Sequence, residues 1–147
     1  MTMGKRGRTL PRTGQGAAIR RGAAVVEFAV VSPVLILLLL GMIECGRMIM
    51  VQQALTTAVR EGARTAIVEG TSATTAIDAV TSFLAATGIT GARVAVVPSN
   101  TGAIPHGEPV TVSVQVPFTE VSWLPNPFFL KNTMLKSAAT MRRETPN

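Results

Sequence analysis

Phe28 to Ile43 form sixteen consecutive positions without a charge, interrupted by one polar side chain, Ser32. Glu27 and Glu44 bracket the run, and at ~1.5 Å per residue a helix would set them roughly 26 Å apart, close to the ~30 Å of a bilayer's hydrocarbon. Extending back to Ala23 adds only Glu27 as a charge. Pro33 and Gly41 would weaken this helix in water, but in lipid the alternative is unpaired backbone, so both are tolerated there, with a kink at Pro33 as one outcome. The pattern predicts one membrane span over residues 23–46.

Beyond the span the periodicity stays helical. Val51, Leu55, Ala58, Val59, Gly62 and Ala66 share a face, which carries the helix to about Val68. Ala54, Ala58, Gly62 and Ala66 fall at every fourth position, a small-residue stripe that admits close approach. It is expected to face the domain's own sheet, with a neighbouring subunit as the alternative. Gly70-Thr71-Ser72 breaks the helix, and Thr71 or Ser72 can cap a second one with Ile77, Val80, Phe83 and Leu84 on its apolar face and Gly88 at its end. The period then changes to two. Arg93–Val97 reads as a short strand, and Val110, Val112, Val114 and Val116 alternate with Thr111, Ser113 and Gln115 between Pro109 and Pro117. Pro98 to Gly102 supplies turn chemistry, and Leu135–Met141 is a weaker strand candidate. A loop from Phe118 to Asn132 holds Trp123, Pro125, Pro127, Phe128 and Phe129, and is expected to fold its aromatics over the small sheet rather than present them to a partner. The sum is an α+β chain in which a long N-terminal transmembrane helix continues into a small exported domain with a second helix and a short antiparallel sheet. Its parts are a leader (1–22), the span (23–46) and the exported domain (47–147).

Charge orients this arrangement. The formal net charge of +6 resides in residues 1–22, where Lys5, Arg6, Arg8, Arg12, Arg20 and Arg21 meet no acid. The remainder has eight basic and eight acidic residues, so a folded basic face for nucleic acid is not expected. The leader reads as unstructured and cytoplasmic, and by the positive-inside rule the C-terminal domain lies outside. A cleaved secretory signal is the competing account of a basic leader and an apolar run. No A-x-A pattern follows Ile43, however, and Glu44 before Cys45 is the wrong neighbour for a lipoprotein cysteine. Cys45 therefore reads as a small apolar residue at the membrane edge.

Candidate chemistry is sparse. One Cys, one His and no Tyr leave no disulfide framework and no Cys/His metal site, so no metal, cofactor or catalytic residue is assigned. His106, between Pro105 and Gly107, reads as a surface residue, while Glu61, Glu69, Asp78, Glu108, Glu120 and Glu144 are scattered. With no G-x-S-x-G, H-E-x-x-H or phosphate-loop motif, the chain is expected to be the substrate of an enzyme rather than an enzyme.

The motif behind that expectation is Arg20-Arg21-Gly22-Ala23-Ala24-Val25-Val26-Glu27-Phe28. It resembles the type IV prepilin signal, which implies cleavage by a membrane prepilin peptidase between Gly22 and Ala23 and places Glu27 fifth in the mature chain. An acid in a membrane helix needs a partner, and the new α-amine of a neighbouring subunit's Ala23 would supply one, with Phe28 beside the pair. Favourable interaction with the helix dipole is the plainer account of Glu27.

The resemblance reaches further. Val26-Glu27-Phe28, Pro33, Glu44-Cys45-Gly46-Arg47, Gln53-Ala54-Leu55 and the box Arg60-Glu61-Gly62-Ala63-Arg64 together look like the TadE family of pilus-assembly proteins, over about a third of the chain. That resemblance implies a pilin-like fold and a minor pilin or pseudopilin of tight adherence (Flp-type) pili. The implied setting is the bacterial inner membrane, with the pilus at the cell surface as destination. The implied partners are the prepilin peptidase, other pilin subunits and pilus-assembly membrane proteins. Phe28 stands where many prepilins carry Tyr. From the residues alone, Arg60 and Arg64 flank Glu61 as short-range ion pairs within solvated helix charge. The alternative is an uncleaved single-pass protein scaffolding an envelope or secretion complex.

Overall fold

A computed structural model of the chain describes residues 15–68, 70–99 and 107–142. Its elements are α1 (Gln15–Ala66), α2 (Ala73–Ala86), β1 (Arg93–Val97), β2 (Pro109–Pro117), the single-turn α3 (Phe118–Val121) and β3 (Met134–Arg142). The α+β class expected from the change of period is therefore found: a long apolar N-terminal helix, a second helix and a three-stranded antiparallel sheet.

The chain divides into two compact units, residues 1–39 and 40–147. In the first, α1 is the element described. It begins at Gln15, within the segment expected to be unstructured, because once a helix exists each added residue needs only propagation, and Ala17, Ala18, Arg20 and Arg21 are good helix formers. The helix runs through Pro33. From Gly22 to Leu39 every side chain is exposed except the half-buried Ser32. Among the described residues one helix is long and apolar enough to cross a membrane, and it is this one.

In the second unit, the stripe Val51, Leu55, Ala58, Val59, Ala63 and Ala66 is buried with Ala76, Val80 and Leu84 of α2 and with Val96, Val110, Val112, Val114, Val116 and Leu135 of the sheet. Helices thus cover one sheet face. The alternation in β2 sorts its residues as the pleat requires, valines inward and Thr111, Ser113 and Gln115 outward. β2 is central, pairing Val96 with Val112 on one side and Leu135 with Val116 on the other. The weaker strand candidate is a full nine-residue strand. Its inward positions include Ser137 and Ala139, small side chains with a faint apolar signal, and it is fixed by pairing with β2 rather than by its own pattern.

The ends of α2 follow from local chemistry. Ser72 caps it, its Oγ accepting from the Thr75 N–H at 3.3 Å. Gly88, at φ +73°, closes it, as the Ile89 N–H donates to the Leu84 carbonyl at 2.9 Å and brings Ile89 into the core.

Candidate functional site: the prepilin-like segment and the loop held at the end of the apolar run

The sequence-derived site residues fall in two places. Gly22, Ala23, Glu27 and Phe28 are exposed on the first unit's helix, and a Cβ at Gly22 would meet nothing within 4 Å. The Arg60–Arg64 box lies on α1 in the second unit and splits by direction. Arg60, Glu61 and Arg64 are exposed, whereas Gly62 and Ala63 are buried. The expected ion pairs do not form, as among the described residues none joins Glu61 to Arg60 or Arg64. Exposed pairs of this kind gain little over hydration.

Gly62 has a definite packing task. A Cβ there would collide with Val80 Cγ2 of α2 and would lie 3.4 Å from Val112 Cγ1 of β2. The stripe of small residues therefore faces the domain's own helix and sheet, as expected, and Gly62 is where three elements converge.

Sequence reasoning missed the one buried charged side chain among the described residues. Glu44 is only 1% exposed. Its Oε1 accepts the Phe128 N–H at 2.6 Å, and its Oε2 accepts the N–H groups of Phe129 at 3.0 Å and Leu130 at 3.1 Å. Three successive backbone donors form a cradle for one carboxylate and replace the water that burial removed. Pro125 and Pro127 stiffen the approach to this turn, and Pro127 is itself buried. The available signal was the isolation of Glu44 between Glu27 and Arg47, since an acid in apolar surroundings needs a partner.

Two further residues of α1, at three-residue steps on either side of Glu44, hold the same loop. Arg47 Nε donates to the Val121 carbonyl at 2.7 Å, and its guanidinium carbon stands 5.0 Å from the centre of the Trp123 ring. A Cβ at Gly41 would lie 3.3 Å from the ring edge of Phe129, so glycine lets that ring approach the helix. The loop is thus bound to α1, not folded over the sheet. This corrects the expectation for its aromatics: Trp123, Phe128 and Phe129 are 62%, 65% and 63% exposed. The sheet's inner face is already occupied by the two helices.

Cys45 is an exposed free cysteine. Among the described residues no group of three or more His, Cys, Asp or Glu side chains is placed to hold a metal ion. His106, Glu69 and Glu144, and the leader's Lys5, Arg6, Arg8 and Arg12, lie outside the described residues. Among the described residues no chemical constellation competes with the two features above, the prepilin-like segment and the clamped loop.

These features define a class: a chain with one N-terminal apolar helix that runs on into a helix-over-sheet domain. Over residues 22–64 the chain matches the model of the TadE-like protein family. No significant match was found among curated proteins or among solved structures. The matched segment opens at Gly22 and closes at Arg64, so it takes in the apolar run, Glu44 and the whole Arg-Glu-Gly-Ala-Arg box, and leaves α2 and the sheet outside.

Proposed function

We propose that the chain is a minor pilin or pseudopilin of a tight adherence (Flp-type) pilus. In this reading it inserts with its N terminus in the cytoplasm and its α+β domain outside the bacterial inner membrane. A prepilin peptidase cuts it between Gly22 and Ala23, and it then joins other pilin subunits and pilus-assembly membrane proteins. The observation that carries this reading is the TadE-like match over residues 22–64, which begins at the glycine of the prepilin-like signal. Supporting it, residues 22–39 form an apolar helix whose side chains, Ser32 apart, are exposed. Such a helix serves first as an anchor in lipid and then as packing material in a filament, because subunit side chains replace lipid at little hydrophobic cost. Glu27 would neutralise the α-amine of a neighbouring subunit. The chain does no catalysis in this role.

One observation favours a second reading, an uncleaved single-pass scaffold: α1 runs unbroken from Gln15 through Gly22 and Ala23, so cleavage requires local unwinding. Mass spectrometry of the membrane-extracted native protein decides between the two. An N terminus at Ala23 is the expected result, and an intact arginine-rich leader leaves only the scaffold. With processing established, Gly22→Val should abolish it. Glu27→Ala should leave processing intact and lower pilus yield, and normal piliation of that variant would remove the pairing role of Glu27.

A further inference from the structure

The clamped loop has no part in the function proposed above, yet it carries the domain's exposed aromatic surface. Phe118 is fully buried and Phe83 half-buried, whereas Trp123, Phe128 and Phe129 stay largely open. Three large exposed aromatics on one loop mark a contact surface. What it contacts follows from where it is held. Phe129 abuts Gly41, which belongs to the apolar run itself, Glu44 is the first charge after that run, and Arg47 lies one turn beyond, with its guanidinium over the Trp123 ring. The loop therefore lies against the part of α1 where the sequence passes from lipid-compatible to polar. Between Ser122 and Asn132 its only charged side chain is Lys131. Tryptophan favours the membrane–water boundary, and Arg and Lys beside it reach the phosphates with their stems in apolar surroundings.

We propose that the loop from Ser122 to Leu130 is an interfacial foot that seats the exported domain on the outer face of the bilayer. Phe128 and Phe129 enter the boundary between acyl chains and headgroups, Trp123 lies at headgroup level, and Arg47 and Lys131 meet the lipid phosphates. The three N–H donors around Glu44 fix the depth of the foot relative to the helix. The loop's continuity with the apolar run selects lipid over a protein partner. The inference rests on reading residues 23–46 as a membrane span, and the test separates the two.

Trp123 is the only tryptophan, so its fluorescence reports on the foot alone. The full chain would be reconstituted at high lipid excess into phosphatidylethanolamine–phosphatidylglycerol vesicles, floated, and washed at alkaline pH. Protein lost in the wash overturns the span and the foot with it. In protein that floats, Trp123 emission should be blue-shifted, quenched by lipids carrying a nitroxide near the headgroup, and quenched several-fold less by aqueous iodide than free tryptophan is. Phe128→Ser, which alters a side chain outside the core, should restore iodide quenching toward the free value without changing the thermal unfolding of the domain. Full iodide access in floated wild-type protein overturns the foot and leaves the span standing. Protection that appears only as the protein-to-lipid ratio is raised overturns it in favour of a second copy of the chain.

Discussion

The first and second stretches of α1 are both apolar, but they differ in what their side chains meet. From Gly22 to Leu39 nearly every side chain is exposed around the full circumference, whereas from Val51 to Ala66 one stripe is buried and the remainder is polar or half-covered. Uniform hydrophobicity with no partner asks for an apolar solvent, while a stripe asks for a specific neighbour. A single helix thus contains two kinds of instruction, and only the second contributes to the stability of the folded domain.

The most direct way to break this comparison is to truncate one leucine in each stretch. Leu55→Ala should cost the second unit on the order of 3 kcal/mol, as for other fully buried leucines. Leu37→Ala should leave thermal unfolding of that unit unchanged and weaken membrane insertion alone. Equal losses of stability from both would show that the first stretch also folds against protein. A comparable effect is expected at the junction. Glu44→Ala leaves three partly buried backbone N–H groups without their acceptor, so a loss of about 3 kcal/mol and rapid amide exchange at Phe128, Phe129 and Leu130 should follow. Glu44→Gln, with one acceptor oxygen in place of two, should recover part of it. Exchange at those amides as slow as in wild type would show that the loop is held by its aromatics instead. The finest test uses one residue type in two settings. Gly62→Ala should destabilise by about 1–3 kcal/mol through the collision with Val80. Gly46→Ala, where an added Cβ meets nothing, should stabilise by roughly 0.5–1 kcal/mol through helix propensity. Chemical denaturation of the two variants gives both signs, and a Gly62→Ala protein as stable as wild type would mean that α2 shifts freely.

Where the sequence was legible, the cause of structure was local. The valine alternation in β2 is a direct image of the pleat, and the Ser72 cap and Gly88 closure of α2 follow from side-chain chemistry within a few residues. The stripe around Gly62 was readable because helical period and small size coincide. What escaped was long-range. Glu44 sits where a span boundary would put a charge anyway, and nothing nearby announces that its partners lie 84 to 86 positions away. The aromatic loop was misjudged for the same reason, because a sheet needing cover is the usual destination and the hold exerted by α1 cannot be seen in the loop's own residues. Arg60, Glu61 and Arg64 have pairing distances on paper, but water competes successfully for exposed charges. The prepilin-like segment was recognisable as a pattern alone, since Gly22, Ala23, Glu27 and Phe28 are all exposed.

The carboxylate cradle also sets an order of events during biogenesis. Ribosomes deliver Glu44 long before the three amides that will enclose it, so a nascent polypeptide carries an open latch until another 84 to 86 residues have been made. A product that stops short of Phe128 can never shut that latch, and it leaves a hydrated acid next to grease as a chemical mark of incompleteness.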